Sequence, residues 1–340
     1  MKRRIRIGLG VLITGGMMTV AVAGCSGAAA GGSTELQLAY EAPAGTAQEI
    51  AANIFGEAVE EASDGTVTVK QFPGGQLGGE SDMLDKVRAG DIDIAITSVA
   101  NASGIMSESS VLSLHYLAKD SDEAVAIFSS DAVNDEYKRI AEKNLEGITP
   151  LALFMLPIRN IYGGEEVSAP ADLEGTKMRV QASPSEDVLF GAYGAQTVHL
   201  AAPELYSALQ TGLVDTAEGA VTSYDANNHY EVAPVMSMTQ HELNGQVLWM
   251  STDALESLSD DEVAAVEAAA ATVIDEQPQE AVALGDKTHE ELADKGVKFH
   301  DDVDTEAFAK IARPYQDEIA AGISEDAVEF LDVIRQALAE

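Results

Sequence analysis

The chain has 340 residues, 46% of them hydrophobic and 23% charged, which is enough sequence for about two globular domains. Twenty Lys and Arg against 57 Asp and Glu give a net charge of −37 at neutral pH, a field that repels nucleic acid and anionic membrane. A single cysteine rules out any disulfide within the chain.

In chain order, Lys2, Arg3, Arg4 and Arg6 precede an apolar run from Ile7 to Ala23 that ends in Val22-Ala23-Gly24-Cys25. A cationic start, an apolar core and a small-residue site make an export signal, not a fold element. A cysteine directly after such a site resembles the bacterial lipobox. That resemblance implies a signal peptide over 1–24 and a diacylglycerol on Cys25, whose two acyl chains would hold the protein at the outer face of the cell membrane. Residues 25–34 are small and polar and read as a flexible tether. The signal carries four cations and no acid, so its removal takes the net charge to −41.

Leu36, Leu38 and Tyr40 alternate with polar residues as a first strand, and Thr46 with Glu49 has the spacing of a capping box opening a helix through Val59. Val67 and Val69 begin a second strand. The loop from Phe72 to Gly79 leads to a helix through Val87, and Ile92, Ile94 and Ile96 make a third strand. Strands alternating with helices at this pace predict an α/β layer with mostly parallel strands. Helices are expected around Glu123 to Phe128 and Ala132 to Leu145. A strand from Thr149 to Met155 should then end in a loop at Pro157-Ile158-Arg159, where the chain crosses into a second lobe.

The second lobe repeats the style, with strands at Lys177 to Val180, Gln196 to Leu200 and Leu213 to Thr216 and helices at Pro184 to Tyr193, Pro203 to Gln210 and Tyr224 to Tyr230. Gln246 to Ser251 is expected to return to the first lobe as a buried strand. Ser259 and Glu262 cap an Ala-rich helical region that Pro278 should kink or divide. A strand near Val297 to Phe299 and helices near Thr305 to Ile319 and Glu325 to Ala339 complete the chain. The expected division is lobe I over 35–156 and about 245–284, and lobe II over 157–244 and about 285–340. More than one crossing joins them, with a cleft between. No internal repeat and no second membrane-spanning stretch is visible.

The six histidines show no HxxxH or HxH pairing, no second cysteine is present to complete a zinc site, and no GxSxG or GxxxxGK[ST] motif occurs. The glycines from Gly74 to Gly79 lack the Lys and Ser/Thr of a phosphate loop and read as a tight turn. No catalytic residue, cofactor or metal ligand is therefore assigned. Arginine is the informative letter. Arg159, at a strand end, and Arg179, inside a strand, sit beside apolar segments where an unpaired guanidinium is costly. Each either pairs with one of the many carboxylates or offers a bidentate fork to a ligand carboxylate, and composition does not choose.

Ordered motifs across the chain decide more. They are Gln76-Leu77-Gly78 after Phe72-Pro73, Asp172-Leu173-Glu174-Gly175 with Lys177-Met178-Arg179-Val180, Gly194-Ala195, Glu204 to Asp215, Tyr230-Glu231-Val232, and Thr239-Gln240-His241. Together they resemble the DctP-type solute receptors of tripartite ATP-independent periplasmic (TRAP) transporters over essentially all of the chain past the tether. The resemblance implies a two-lobed, periplasmic-binding-protein-like (type II-like) α/β fold that closes on a small organic acid for the membrane subunits of a TRAP transporter. It implies that Arg179 pairs with the ligand carboxylate, that Arg159 is a second arginine of the site, and that Glu41, Glu80 and Ser98 line the first-lobe wall. Two departures stand out: Ala202 and Pro203 replace the usual aromatic before the helix, and Glu218-Gly219-Ala220 replaces the usual Glu-Asn-Pro, so the usual asparagine partner is Gly219 here.

The expected function is extracytoplasmic capture of a small carboxylate by an anchored, monomeric, non-enzymatic receptor that binds no nucleic acid. A receptor for a neutral or cationic solute, or a sensor partner, is the alternative, and a lipid-anchored hydrolase a more distant one. Because one charge-assisted hydrogen bond contributes only about 1.5–3 kcal/mol, further contacts are expected from Tyr224, His241, Asn244 and Trp249.

Overall fold

The computed structural model describes residues 33–339, so the expected signal, Cys25 and the expected tether up to residue 32 lie outside the described residues. Nine strands form one mixed sheet: β1 (Thr34–Tyr40), β2 (Val67–Phe72), β3 (Ile94–Ser98), β4 (Ile148–Gly163), β5 (Lys177–Val180), β6 (Gln196–His199), β7 (Thr216–Gly219), β8 (Val235–Ser251) and β9 (Lys298–His300). Their order is β2-β1-β3-β8-β4-β7-β5-β6, with β9 on β8.

The two lobes are the two ends of this sheet. At one end β2, β1 and β3 run parallel, and at the other β7, β5 and β6 do the same. Between them β4 and β8, of 16 and 17 residues, are antiparallel to each other along their length. The expectation of mostly parallel strands holds at the ends and fails at the centre, because a strand that crosses from lobe to lobe is answered by one that crosses back.

Pro157 does not end the strand as expected. Leu156 pairs with Asn244 and Arg159 with Glu242, and the register shifts between them. Such an irregularity absorbs a residue that has no N–H to give to the ladder. The strand therefore continues, and Arg159 sits on it. Pro278 does not divide its helix either: Asp260–Asp294 is one helix of 35 residues with Pro278 inside. The preceding Gln277 is fully buried and reaches across to β4, accepting from Met155 N (3.3 Å) and donating to Met155 O (2.8 Å) and Ala47 O (3.1 Å).

Ser259 and Glu262 form the expected capping box. Thr46 does not: its hydroxyl donates to Pro43 O, and Glu49 instead accepts from Gly45 N. The strand expected at Leu213 to Thr216 starts later, at Thr216, and the helix expected at Tyr224 to Tyr230 is shifted to Val221–Ala226. The helix Glu325–Ala337, grouped by sequence with lobe II, packs on Asp131–Asn144 of the first lobe. Phe330 lies 5.8 Å from the Tyr137 ring, and Arg139 and Lys143 both pair with Asp326.

Candidate functional site

A cavity of about 100 Å³ opens where the two sheet ends face each other across the crossing strands. Its floor is a row of side-chain amides. Gln48 donates to Gln246 (2.7 Å), Gln246 donates to Asn244 (3.3 Å), and Asn244 Oδ1 also accepts from Arg159 Nη1 (3.1 Å). Gln246 and Asn244 share a face of β8 because they are two residues apart.

Arg159 is 6% exposed and committed to the protein. Its Nε donates to Glu218 Oε2 and lies 3.2 Å from Glu242 Oε2, and its Nη2 donates to the Glu218 carbonyl (3.3 Å). Burial works against the charge on Arg159, but the Glu218 and Glu242 carboxylates outweigh it and hold its pKa above the ordinary value.

Arg179, on β5, is just as buried but differently used. Its Nε and Nη2 both donate to the Leu200 carbonyl (2.9 and 2.8 Å), while Nη1 lies 3.8 Å from Glu218 Oε1 and donates no hydrogen bond among the described residues. One edge of the guanidinium is thus clamped by backbone and the other faces the cavity, where Arg179 is a lining residue. Glu218, on β7, stands between the two arginines and is 1% exposed.

The opposite wall comes from the first lobe. Glu80 Oε2 accepts from Ser98 N (2.8 Å), Ser98 Oγ (2.6 Å) and Asn101 Nδ2 (2.7 Å). Ser98 Oγ then accepts from Gln181 of the second lobe (2.9 Å), and Ala182 N donates to Asn101 Oδ1 (3.3 Å), so the exit of β5 is tied to the facing wall. Glu41 lines the cavity with its Oε1 unpartnered. Burial, then Glu80, push its pKa up to about 7, with Arg179 pulling the other way.

Of the residues expected at the site, Arg159, Arg179, Glu41, Glu80, Asn244 and Gly219 line the cavity. Ser98 stands one layer back, holding Glu80 and Gln181. Three expected contributors lie outside the lining, a correction to the sequence reading. Tyr224 donates to Ala233 O (2.6 Å), Trp249 donates to Thr97 Oγ1 (3.0 Å) inside the core, and His241 Nδ1 faces Thr239 Oγ1 (2.8 Å). The cavity histidine is His229, held 2.9 Å from the Tyr162 hydroxyl. Burial, then Arg179, press its pKa down to about 4, so it is neutral at physiological pH.

Residues missed by the sequence reading are Glu218, Gln181, Asn101, Gln48, Gln246, Tyr162 and His229. Glu218 had a usable signal, since it lies beside the Gly219 departure. The others are ordinary polar residues until the strand register brings them together.

The profile of "Bacterial extracellular solute-binding protein, family 7" (DctP) matches residues 38–322. A solute-binding protein of Roseobacter denitrificans is 30% identical over 314 residues, covering 91% of this chain and 93% of the relative. Among solved structures, a TRAP periplasmic solute-binding protein from Bradyrhizobium in complex with α/β-D-galacturonate has a TM-score of 0.82 at 26% identity, covering 89% of this chain and 99% of that one. One from Chromohalobacter salexigens with bound D-glucuronate also has a TM-score of 0.82, at 25% identity and with the same coverage.

Proposed function

The chain belongs to bacterial extracellular solute-binding protein family 7, the DctP family, whose members capture small organic acids for TRAP transporters, and on that premise we propose that its own solute is a polyhydroxylated monocarboxylate of about hexuronic acid size. The observation that carries this reading is the asymmetry of the two arginines. Arg159 is saturated by Glu218, Glu242 and Asn244, whereas Arg179 keeps one edge toward the cavity. The carboxylate then pairs with Arg179, and Arg159 acts through Glu218.

The remaining walls suit hydroxyls. Glu41 and Glu80 are acceptors on the first-lobe side, and the amides of Gln48, Gln246 and Asn244 offer both donors and acceptors at the floor. Ala202, in place of a ring, and Gly219, in place of a longer side chain, leave width for a sugar-sized body. The relatives described above with bound glucuronate and galacturonate support the same class. Glu41 also favours a second reading, a solute that carries an amino group beside its carboxylate.

Lobe boundaries near the Pro157 and Gly245 positions of β4 and β8, a lipid on Cys25 and a monomeric state complete the proposal. The lipid follows from the Val22-Ala23-Gly24-Cys25 motif alone.

Isothermal titration of the purified chain with D-glucuronate, D-glucose and D-glucosamine tests the ligand class. Glucuronate should bind with micromolar affinity or better and glucose should not. Equal affinity for glucose would remove the carboxylate from the argument, and binding of glucosamine alone would transfer it to Glu41. Membrane fractionation of the Cys25→Ser chain tests the anchor: release into the soluble fraction is expected, and unchanged membrane association would overturn it.

A further inference from the structure

Beside Arg159, outside the cavity lining, His115, His241 and Glu242 come together from segments far apart in sequence. They are 0%, 1% and 2% exposed, and one ligand atom from each lies within 4.8 Å of the others. The two imidazoles stand edge to face, with centroids 4.9 Å apart. In both rings Nδ1 is occupied, by the Tyr193 hydroxyl (3.0 Å) for His115 and by Thr239 Oγ1 (2.8 Å) for His241. In both rings Nε2 is buried without a hydrogen-bond partner, as is Glu242 Oε2. Glu186, fully buried, has both carboxylate oxygens unpartnered, with Oε2 3.7 Å from His115 Nε2.

Buried polar atoms are normally satisfied, so two unpartnered imidazole nitrogens gathered with Glu242, whose Oε2 has only Arg159 Nε nearby at 3.2 Å, and Glu186 beside His115, call for a common partner. We propose that His115, His241 and Glu242 form a buried site for a borderline divalent cation of the zinc type, with Glu186 within reach as a fourth donor.

The donor chemistry selects the ion. Two imidazole nitrogens with carboxylate oxygens suit zinc, whereas calcium and magnesium take oxygen-only sets. An ion placed evenly among atoms 4.8 Å apart would stand about 2.8 Å from each, so the ligands close by about 0.7 Å to reach zinc distances of about 2.0–2.1 Å. Tyr193 and Thr239 fix the ring orientations, the role that outer partners of metal-bound histidines commonly have.

A cation at this site would draw Glu242 away from Arg159 Nε, now 3.2 Å distant.

Because the site is buried, the ion enters on folding. The test unfolds the purified full chain in guanidinium with a chelator and refolds it with Zn2+ or Co2+. After gel filtration the expected content is one equivalent of metal per chain, with visible d–d bands from the cobalt form and a raised melting temperature for the zinc form. His241→Gln should fold yet lose both the metal and the bands, and Glu242→Gln is the second variant if the first does not fold. Metal content below about 0.2 equivalents in the wild type, or content unchanged in the folded variants, overturns the proposal. These readouts need no solute, so they succeed or fail independently of the ligand class proposed above.

Discussion

Replacing Arg179 by alanine removes a cavity-facing guanidinium edge that donates no hydrogen bond among the described residues. Two of its donors hold the Leu200 carbonyl at 2.9 and 2.8 Å, and Nη1, 3.8 Å from Glu218 Oε1, is directed at the cavity. Truncating one partner of a buried, hydrogen-bonded charge pair costs about 3–5 kcal/mol, which is roughly a 10²- to 4 × 10³-fold rise in Kd. Arg179→Lys keeps the charge but cannot hold Leu200 and the ligand at once, so it should recover binding only in part. Titration calorimetry with D-glucuronate measures the Kd, and melting curves without ligand show that each variant is folded. A folded Arg179→Ala chain whose Kd lies within about threefold of wild type would refute the assignment and move the carboxylate to another donor.

Gly219→Asn tests the departure from the family pattern. A Cβ at Gly219 meets only Tyr162, at 3.7 and 3.9 Å, in ordinary contact, so the backbone accepts a side chain there and an amide turned into the cavity should tighten glucuronate binding by about 3- to 10-fold; weakened binding would mean that the solute already fills that space. For Glu41, whose pKa is raised from 4.5 to about 7, the folded state binds the extra proton, so this group lowers stability as pH rises from 4.5 through 7. Glu41→Gln should therefore raise the melting temperature at pH 8 and not at pH 4.5, and a pH-independent difference would contradict the shift. Gln277→Ala orphans the Met155 and Ala47 backbone groups and should cost about 2–4 kcal/mol, read in denaturant melts, with little change in ligand Kd. The net charge of −37 repels an anionic solute at long range, so the association rate should rise as salt increases from low ionic strength, where the Debye length is about 30 Å, toward 0.15 M. A rate that falls with salt would point to a cationic solute.

How much of this was legible in the sequence depends on how local the signal was. The strand carrying Arg179 and the Ser259 capping box follow from short motifs and stand where they were expected. Pro157 and Pro278 misled, because a local rule about missing N–H groups does not see a bulge on one strand or a buried Gln277 bridging beside the proline. The histidines misled for a related reason. His241 lies in a family-like motif yet turns away from the cavity, while His229 lies in no motif yet reaches it through Tyr162. Trp249 alternates correctly on its strand, but the face it occupies is the core one. Which face looks at the ligand is set by the pairing of β4 with β8, a contact between residues about 90 positions apart that no window of sequence contains.

The arrangement also explains how a chain with so few cations can hold an anion. Glu218 accepts from Arg159 through one oxygen and presents the other to Arg179 at 3.8 Å, too long for a direct hydrogen bond. A carboxylate entering beside Arg179 would be repelled by Glu218 if that charge were unshared. Pairing it with Arg159 makes the two nearly neutral toward the cavity and leaves the charge of Arg179 as the local excess. Without Arg159, Glu218 would be drawn onto the open edge of Arg179 and would occupy it as an internal competitor. Arg159 therefore needs no contact with the solute to govern its affinity: it holds Glu218 away from the guanidinium that the solute uses, and selectivity for an acid rests on which carboxylate each arginine is allowed to reach.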